Sequence, residues 1–174
     1  VSFDEKGLNN YKVWNSTVKA KIYSAVLKDS DNLVSESLAA NVSLRYNDTI
    51  SVEKGLKKIL DNLKNNKIQL YDGSGLSRYN LTQPSSIVSS LEKIEYYYDF
   101  ETIKEIFPNN YIITDTEAFV WGKTGTLKNN HNYSGYLTTD KGKRYVFSIM
   151  INHFTEDLDN IKSAIVDFLF FLKT

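Results

Sequence analysis

Between residues 118 and 152 the chain carries three strand-like runs, at 118–123, 132–139 and 144–152, with no space between them for a crossover helix. Parallel strands need a connection of about a dozen residues or more, so runs this closely spaced pair antiparallel. Thr139-Asp140-Lys141-Gly142 is a short glycine-containing turn that makes the last two runs a hairpin. The short link from Lys123 to Tyr133 extends the hairpin into a three-stranded meander. Residues 157–173 then read as a helix, amphipathic at first and strongly apolar later. Ile161, Ala164, Ile165, Phe168, Leu169 and Leu172 are aimed at the sheet, and the Phe168 to Phe171 stripe is read as core.

The residues before the meander read as helices. Residues 1–14 alternate weakly and suggest a short entry strand. Asn15-Ser16-Thr17 is a helix start, and Val18, Ile22, Ala25 and Val26 share one face until the polar break Ser30-Asp31-Asn32. A second helix follows, with Leu33, Ser37, Leu38, Ala40 and Val42 inward, fading at Tyr46-Asn47-Asp48. Residues 52–65 form a third, its stripe Leu56, Ile59, Leu60 and Leu63 opposed by Lys57, Lys58, Asp61 and Lys64. Ile68 to Tyr71 reads as a short strand and Asp72-Gly73-Ser74-Gly75 as a loop. Pro84 opens a helix through Ile87, Val88, Leu91 and Ile94, and a shorter piece from Phe100 to Phe107 stops at Pro108. Helices first and an antiparallel sheet capped by a helix last is an α+β layout. It is read as one domain over 1–174, with residues 1–20 unassigned.

Composition narrows the function classes. Lys plus Arg and Asp plus Glu both number 21, and the basic residues form no dense cluster, which argues against a nucleic-acid partner held by phosphate neutralisation. There is no cysteine, so no disulfide and no thiolate chemistry. A zinc site would rest on carboxylates and two histidines, His131 in a polar turn and His153 at a strand end. Both read as surface residues, so neither a metal nor a cofactor is expected. No apolar run reaches the roughly 18 residues of a membrane span, and no signal-peptide pattern occurs. The start at Val1 suggests a mature or truncated product. Trp121 and Tyr96 to Tyr98 read as packing residues.

The residues with most chemistry lie in Val120-Trp121-Gly122-Lys123-Thr124-Gly125-Thr126-Leu127. Two glycines bracket a lysine and a hydroxyl, so backbone there can approach a ligand with no Cβ between. Lys123 is a cation, and Thr124 and Thr126 are hydroxyl donors. Such a strand edge suits an extended peptide ending in a carboxylate. Ser30-Asp31-Asn32 between two helices and Lys123-Thr124-Gly125 on a strand match two of the three motifs of the active-serine penicillin-recognising enzymes, Ser-x-Asn and Lys-Thr-Gly. Longer stretches extend the match: Lys28 to Glu36, Asp72-Gly73-Ser74-Gly75-Leu76-Ser77-Arg78-Tyr79-Asn80, and Gly122 to Leu127 followed by Ser134-Gly135-Tyr136. On these the chain resembles the D-alanyl-D-alanine carboxypeptidase/endopeptidase family, the class C low-molecular-mass penicillin-binding proteins. The resemblance runs from about Ile22 to the C-terminus.

The resemblance implies a penicillin-recognising (β-lactamase/transpeptidase-like) fold and a periplasmic or cell-envelope enzyme that hydrolyses peptidoglycan stem peptides ending in D-Ala-D-Ala. The full-length enzyme would also bind β-lactams. It implies catalytic roles for Ser30, a proton relay to the leaving amine, and Lys123, which polarises Ser30 and attracts the terminal carboxylate. Asn32 would bind the acyl-side carbonyl, and Thr124 and Thr126 the carboxylate. The strand through Gly125 would pair with the peptide backbone, and the Thr126 N–H would form half of an oxyanion hole.

One motif departs. The family's nucleophile lies in a Ser-x-x-Lys that precedes Ser-x-Asn. Here Ser51-Val52-Glu53-Lys54 follows it, and Ser51 reads as a helix N-cap. The expectation is a C-terminal portion of such an enzyme, with no nucleophile in these residues and no activity alone. A non-catalytic peptidoglycan-binding module is the alternative, and a serine β-lactamase a more distant one. Asp72 and Arg78 are expected to pin their loop. The 144–152 strand is expected to leave an edge open to a partner chain unless residues 1–14 cap it.

Overall fold

The computed structural model describes residues 19–63, 67–112 and 117–174. Its elements run α1 (Lys19–Leu27), α2 (Asn32–Asn47), α3 (Val52–Leu63), α4 (Pro84–Tyr97), α5 (Phe100–Ile106), β1 (Val120–Leu127), β2 (Asn130–Thr138), β3 (Arg144–Asn152) and α6 (Leu158–Lys173). Most helix starts follow from local chemistry. The Asp31 side chain accepts the Val34 N–H at 3.0 Å to cap α2, Ser51 Oγ accepts the Lys54 N–H at 3.2 Å ahead of α3, and Asp99 accepts the Thr102 N–H at 2.7 Å to cap α5. Pro84 sits in the first turn of α4, where its missing N–H costs nothing.

The sheet is the antiparallel meander β1-β2-β3. Val120 pairs with Leu137 and Trp121 with Tyr136, so the two-residue alternation sends these pairs to opposite faces. On one face Trp121 and Tyr136 pack with Leu91 of α4 and with Ile103, Ile106 and Phe107 at α5. On the other, Val120, Tyr133 and Leu137 pack with Phe119 and with Ile165 and Leu169 of α6. The helical cluster is closed by α2 against α3. A Cβ on Gly55 would stand 1.8 Å from the Ala39 carbonyl oxygen, so only glycine permits that approach.

Several expectations are corrected. The strand expected over 118–123 runs instead to Leu127, and its partner begins at Asn130. The β2 ladder holds the Thr-Gly-Thr stretch extended to the register pair Leu127 with Asn130. The turn is Lys128-Asn129, with Asn129 at φ 63°, left-handed backbone that asparagine tolerates. The expected strand at Ile68 to Tyr71 reduces to one bridge, Gln69 with Leu81. The buried face of α2 is Ala39 and Ser43, while Leu33 is 77% exposed. Ala39 on that face is where Gly55 of α3 makes its close approach. On α6, Ala164 and Phe168 are exposed and Phe171 is 74% exposed, so only part of the expected stripe is core. His131, expected on the surface, is 1% exposed. Among the described residues no strand pairs with the outer edge of β3, and none of their helices is long and apolar enough to cross a membrane. The expected entry strand, the start of α1 and the far end of the 52–65 helix lie outside the described residues.

Candidate active site

The site forms where β1 emerges from the core. Lys123 shares the alternation of Trp121 and points toward the helical cluster, where its Nζ donates to Ser30 Oγ at 2.6 Å, joining residues 93 positions apart. Nζ also donates to the Thr124 carbonyl at 3.0 Å. Burial holds the Lys123 ammonium below its usual pKa. Ser30 lies in the left-handed region at φ 54°, which costs a serine about 1 kcal/mol. Its neighbours hold it there: Asp31 caps α2 on one side, and the Asp31 N–H donates back to the Ala25 carbonyl at 3.0 Å on the other. The short connection between two helices thereby presents the serine hydroxyl to the lysine.

The two glycines of β1 do different things. A Cβ on Gly122 would stand 2.8 Å from both the Ser134 oxygen and the Tyr133 ring, so this glycine is demanded by the protein's own packing. A Cβ on Gly125 would meet nothing within 4 Å. The Gly122 N–H points off the edge of the sheet to the Pro108 carbonyl at 2.8 Å. Strand alternation then aims the Thr124 and Thr126 N–H groups off the same edge. Gly125 and Thr126 are exposed there, and Thr124 is half-buried. Asn32 is exposed at the first position of α2, and no hydrogen bond among the described residues joins its side chain to Lys123.

Behind Thr126 lies a pair of contacts that the sequence reading missed. Thr126 and His131 are register partners, so their side chains share a face, and Thr126 Oγ1 meets His131 Nδ1 at 2.8 Å. His131 Nε2 meets the Tyr111 hydroxyl at 3.0 Å. The signal available was the two-residue turn: pairing Leu127 with Asn130 puts His131 opposite Thr126.

The Asp72 to Asn80 loop is pinned from within by Asp72, whose oxygens accept the Gly75 N–H at 2.7 Å, the Ser77 N–H at 2.6 Å and the Asn80 amide at 2.8 Å. Burial pushes the Asp72 pKa up, but these bonds outweigh it and hold the carboxyl below its ordinary value. Arg78 is exposed. From α2, Glu36 Oε1 accepts the Gly73 and Ser74 N–H groups at 3.1 and 3.2 Å, tying the loop to the helix that Ser30-Asp31 initiates. Ser51 occupies the N-cap position before α3.

Residues 13–170 match the D-Ala-D-Ala carboxypeptidase 3 (S13) family. The chain belongs to that family. It is 31% identical over 155 residues to the D-alanyl-D-alanine carboxypeptidase DacB of Haemophilus influenzae, a match covering 78% of this chain and 32% of that protein. It therefore spans about a third of the length of this relative. Penicillin binding protein 4 (dacB) from Haemophilus influenzae, solved in complex with a novel β-lactam, superposes with a TM-score of 0.71 at 29% identity, over 86% of this chain and 41% of that one. A class A β-lactamase from Bacteroides cellulosilyticus shares the fold alone, with a TM-score of 0.63 at 15% identity over 88% of this chain and 62% of that one. The α+β layout of the S13 chain is thus that of the penicillin-recognising proteins.

Proposed function

We propose that this chain is the C-terminal portion of a serine-type D-Ala-D-Ala carboxypeptidase/endopeptidase of the cell envelope, acting on peptidoglycan stem peptides. The observation that carries the reading is the 2.6 Å contact between Lys123 Nζ and Ser30 Oγ, which unites two motif residues that the sequence keeps 93 positions apart. Membership of the S13 family supports the reaction class. In this reading Lys123 donates to the Ser30 oxygen and leaves the Ser30 proton free for the leaving amine. The same ammonium supplies positive potential for the terminal carboxylate, and the Thr124 and Thr126 hydroxyls bind it. Asn32 binds the acyl-side carbonyl, and the backbone from Thr124 to Thr126 pairs with the extended peptide.

The acylated nucleophile is not supplied by the 174 residues themselves. Ser51 follows Ser-x-Asn in sequence and spends its hydroxyl on capping α3. The chain alone therefore binds a peptide ending in D-Ala-D-Ala without turning it over. Mass spectrometry after incubation with benzylpenicillin is expected to show no adduct, and an acyl adduct on Ser51 overturns the account. Peptide binding followed by NMR is expected to weaken at least tenfold in Lys123→Met, as loss of a charge-assisted contact implies. Unchanged binding removes Lys123 from the site.

A further inference from the structure

We infer that His131 is a positioning residue for the carboxylate-binding edge. Protonated on Nδ1 and accepting the Tyr111 hydroxyl on Nε2, it donates to Thr126 Oγ1 and leaves the Thr126 proton free for an anionic ligand. The inference rests on the proposed reading of β1 as a site for a carboxylate-ended peptide.

The contacts form a three-membered chain, Tyr111 hydroxyl to His131 Nε2 at 3.0 Å and His131 Nδ1 to Thr126 Oγ1 at 2.8 Å. A neutral imidazole has one donor and one acceptor, whereas each hydroxyl serves as either. The chain therefore has two polarities. In one, Tyr111 donates to Nε2 and Nδ1–H donates to Thr126, so the proton left over belongs to Thr126. In the other, Thr126 donates to Nδ1 and Nε2–H donates to Tyr111, so the proton left over belongs to Tyr111.

The surroundings of the two hydroxyls separate these cases. Thr126 is exposed at the β1 edge, where a leftover proton finds water or ligand. Tyr111 is half-buried, its ring stacked on Tyr133 at 4.1 Å between centroids and nearly parallel to the His131 ring at 18°. Among the described residues its hydroxyl has no hydrogen-bond partner besides His131. A proton left over on Tyr111 is thus a half-buried donor with no acceptor among the described residues, a costly arrangement. Burial accounts for the rise of the Tyr111 pKa to about 12, and burial together with Lys162 of α6 pushes His131 down, keeping the imidazole neutral. The first polarity wins, and it orients Thr126 as a donor toward the edge where Lys123 supplies positive charge.

The test uses the whole chain. Imidazole 15N NMR is expected to show His131 protonated on Nδ1, and an Nε2–H tautomer overturns the inference on the wild type, whatever the variants do. Binding is then compared for a peptide ending in D-Ala-D-Ala and for its C-terminal amide. The carboxylate preference is expected to fall about tenfold in Thr126→Val, the effect of losing one hydrogen bond to a charged group. It is expected to fall several-fold in His131→Gln, whose amide reaches the Nε2 position and abandons Thr126. His131→Asn places an amide at the Nδ1 position and is expected to restore most of it. A full preference in a folded His131→Gln chain overturns the role. Binding of neither peptide by the wild type overturns the carboxylate reading and this role with it. Binding with the Nε2–H tautomer overturns the positioning role alone.

Discussion

The two faces of β1 each end in a polar contact, built in opposite ways. On the helical face Lys123 reaches Ser30 across 93 positions, a contact that exists only because α1 and α2 are folded against the sheet. On the α6 face Thr126 meets His131 across a two-residue turn, five positions away. The long-range contact joins residues whose motifs are visible in the sequence. The short-range contact involves a histidine that no motif marks. Visibility in the sequence thus tracks recurrence of a pattern and not the distance over which the contact is made.

The comparison breaks most sharply at the two glycines. Gly122→Ala pushes a methyl group into Tyr133 and the Ser134 oxygen and is expected to cost about 1–3 kcal/mol in urea unfolding. Gly125→Ala meets open space and is expected to change stability by about 0.5 kcal/mol or less. Equal costs would restore the view that both glycines serve a ligand.

The next largest difference is between two core tyrosines. On the helical face the Tyr136 hydroxyl donates to the Leu91 carbonyl at 2.8 Å, and Tyr136→Phe is expected to cost about 1 kcal/mol. On the α6 face the Tyr133 hydroxyl is buried with no hydrogen-bond partner among the described residues. Tyr133→Phe is expected to be neutral or stabilising by about 1 kcal/mol. A destabilised Tyr133→Phe chain would mean that this hydroxyl has a partner after all.

The smallest effects are tilts in stability with pH, and they fall at opposite ends of the scale. Burial lowers the His131 pKa, so as pH falls below the ordinary 6.5 the unfolded chain takes up a proton before the folded one does. Stability is expected to drop across that window, and the drop is expected to shrink in His131→Gln. Burial lowers Lys123 as well, so between its folded value and the ordinary 10.5 the unfolded chain again holds the extra proton. Stability is expected to gain a rising contribution from Lys123 there, one that Lys123→Met removes. Unfolding midpoints at several pH values separate the two.

The sequence by itself determined the α+β layout, the meander, the helix break at Ser30-Asp31-Asn32, the Ser51 cap and the family, because each depends on spacing or on chemistry within a few residues. A short connection forbids a crossover wherever the chain goes, and a side chain before a helix caps it at once. Only the tertiary structure decided which side chains are inside. Ala39 and Ser43 are buried, and Leu33 at the start of α2 is exposed, because α3 meets α2 through Gly55 at Ala39, one turn from Ser43 and away from Leu33. Phe168 and Phe171 are exposed because a helix on one face of a narrow sheet buries only one stripe. His131 is buried because the ladder continues to Leu127, shifting it out of the expected turn and opposite Thr126. These outcomes depend on the register and separation of neighbouring elements, which local pattern does not encode.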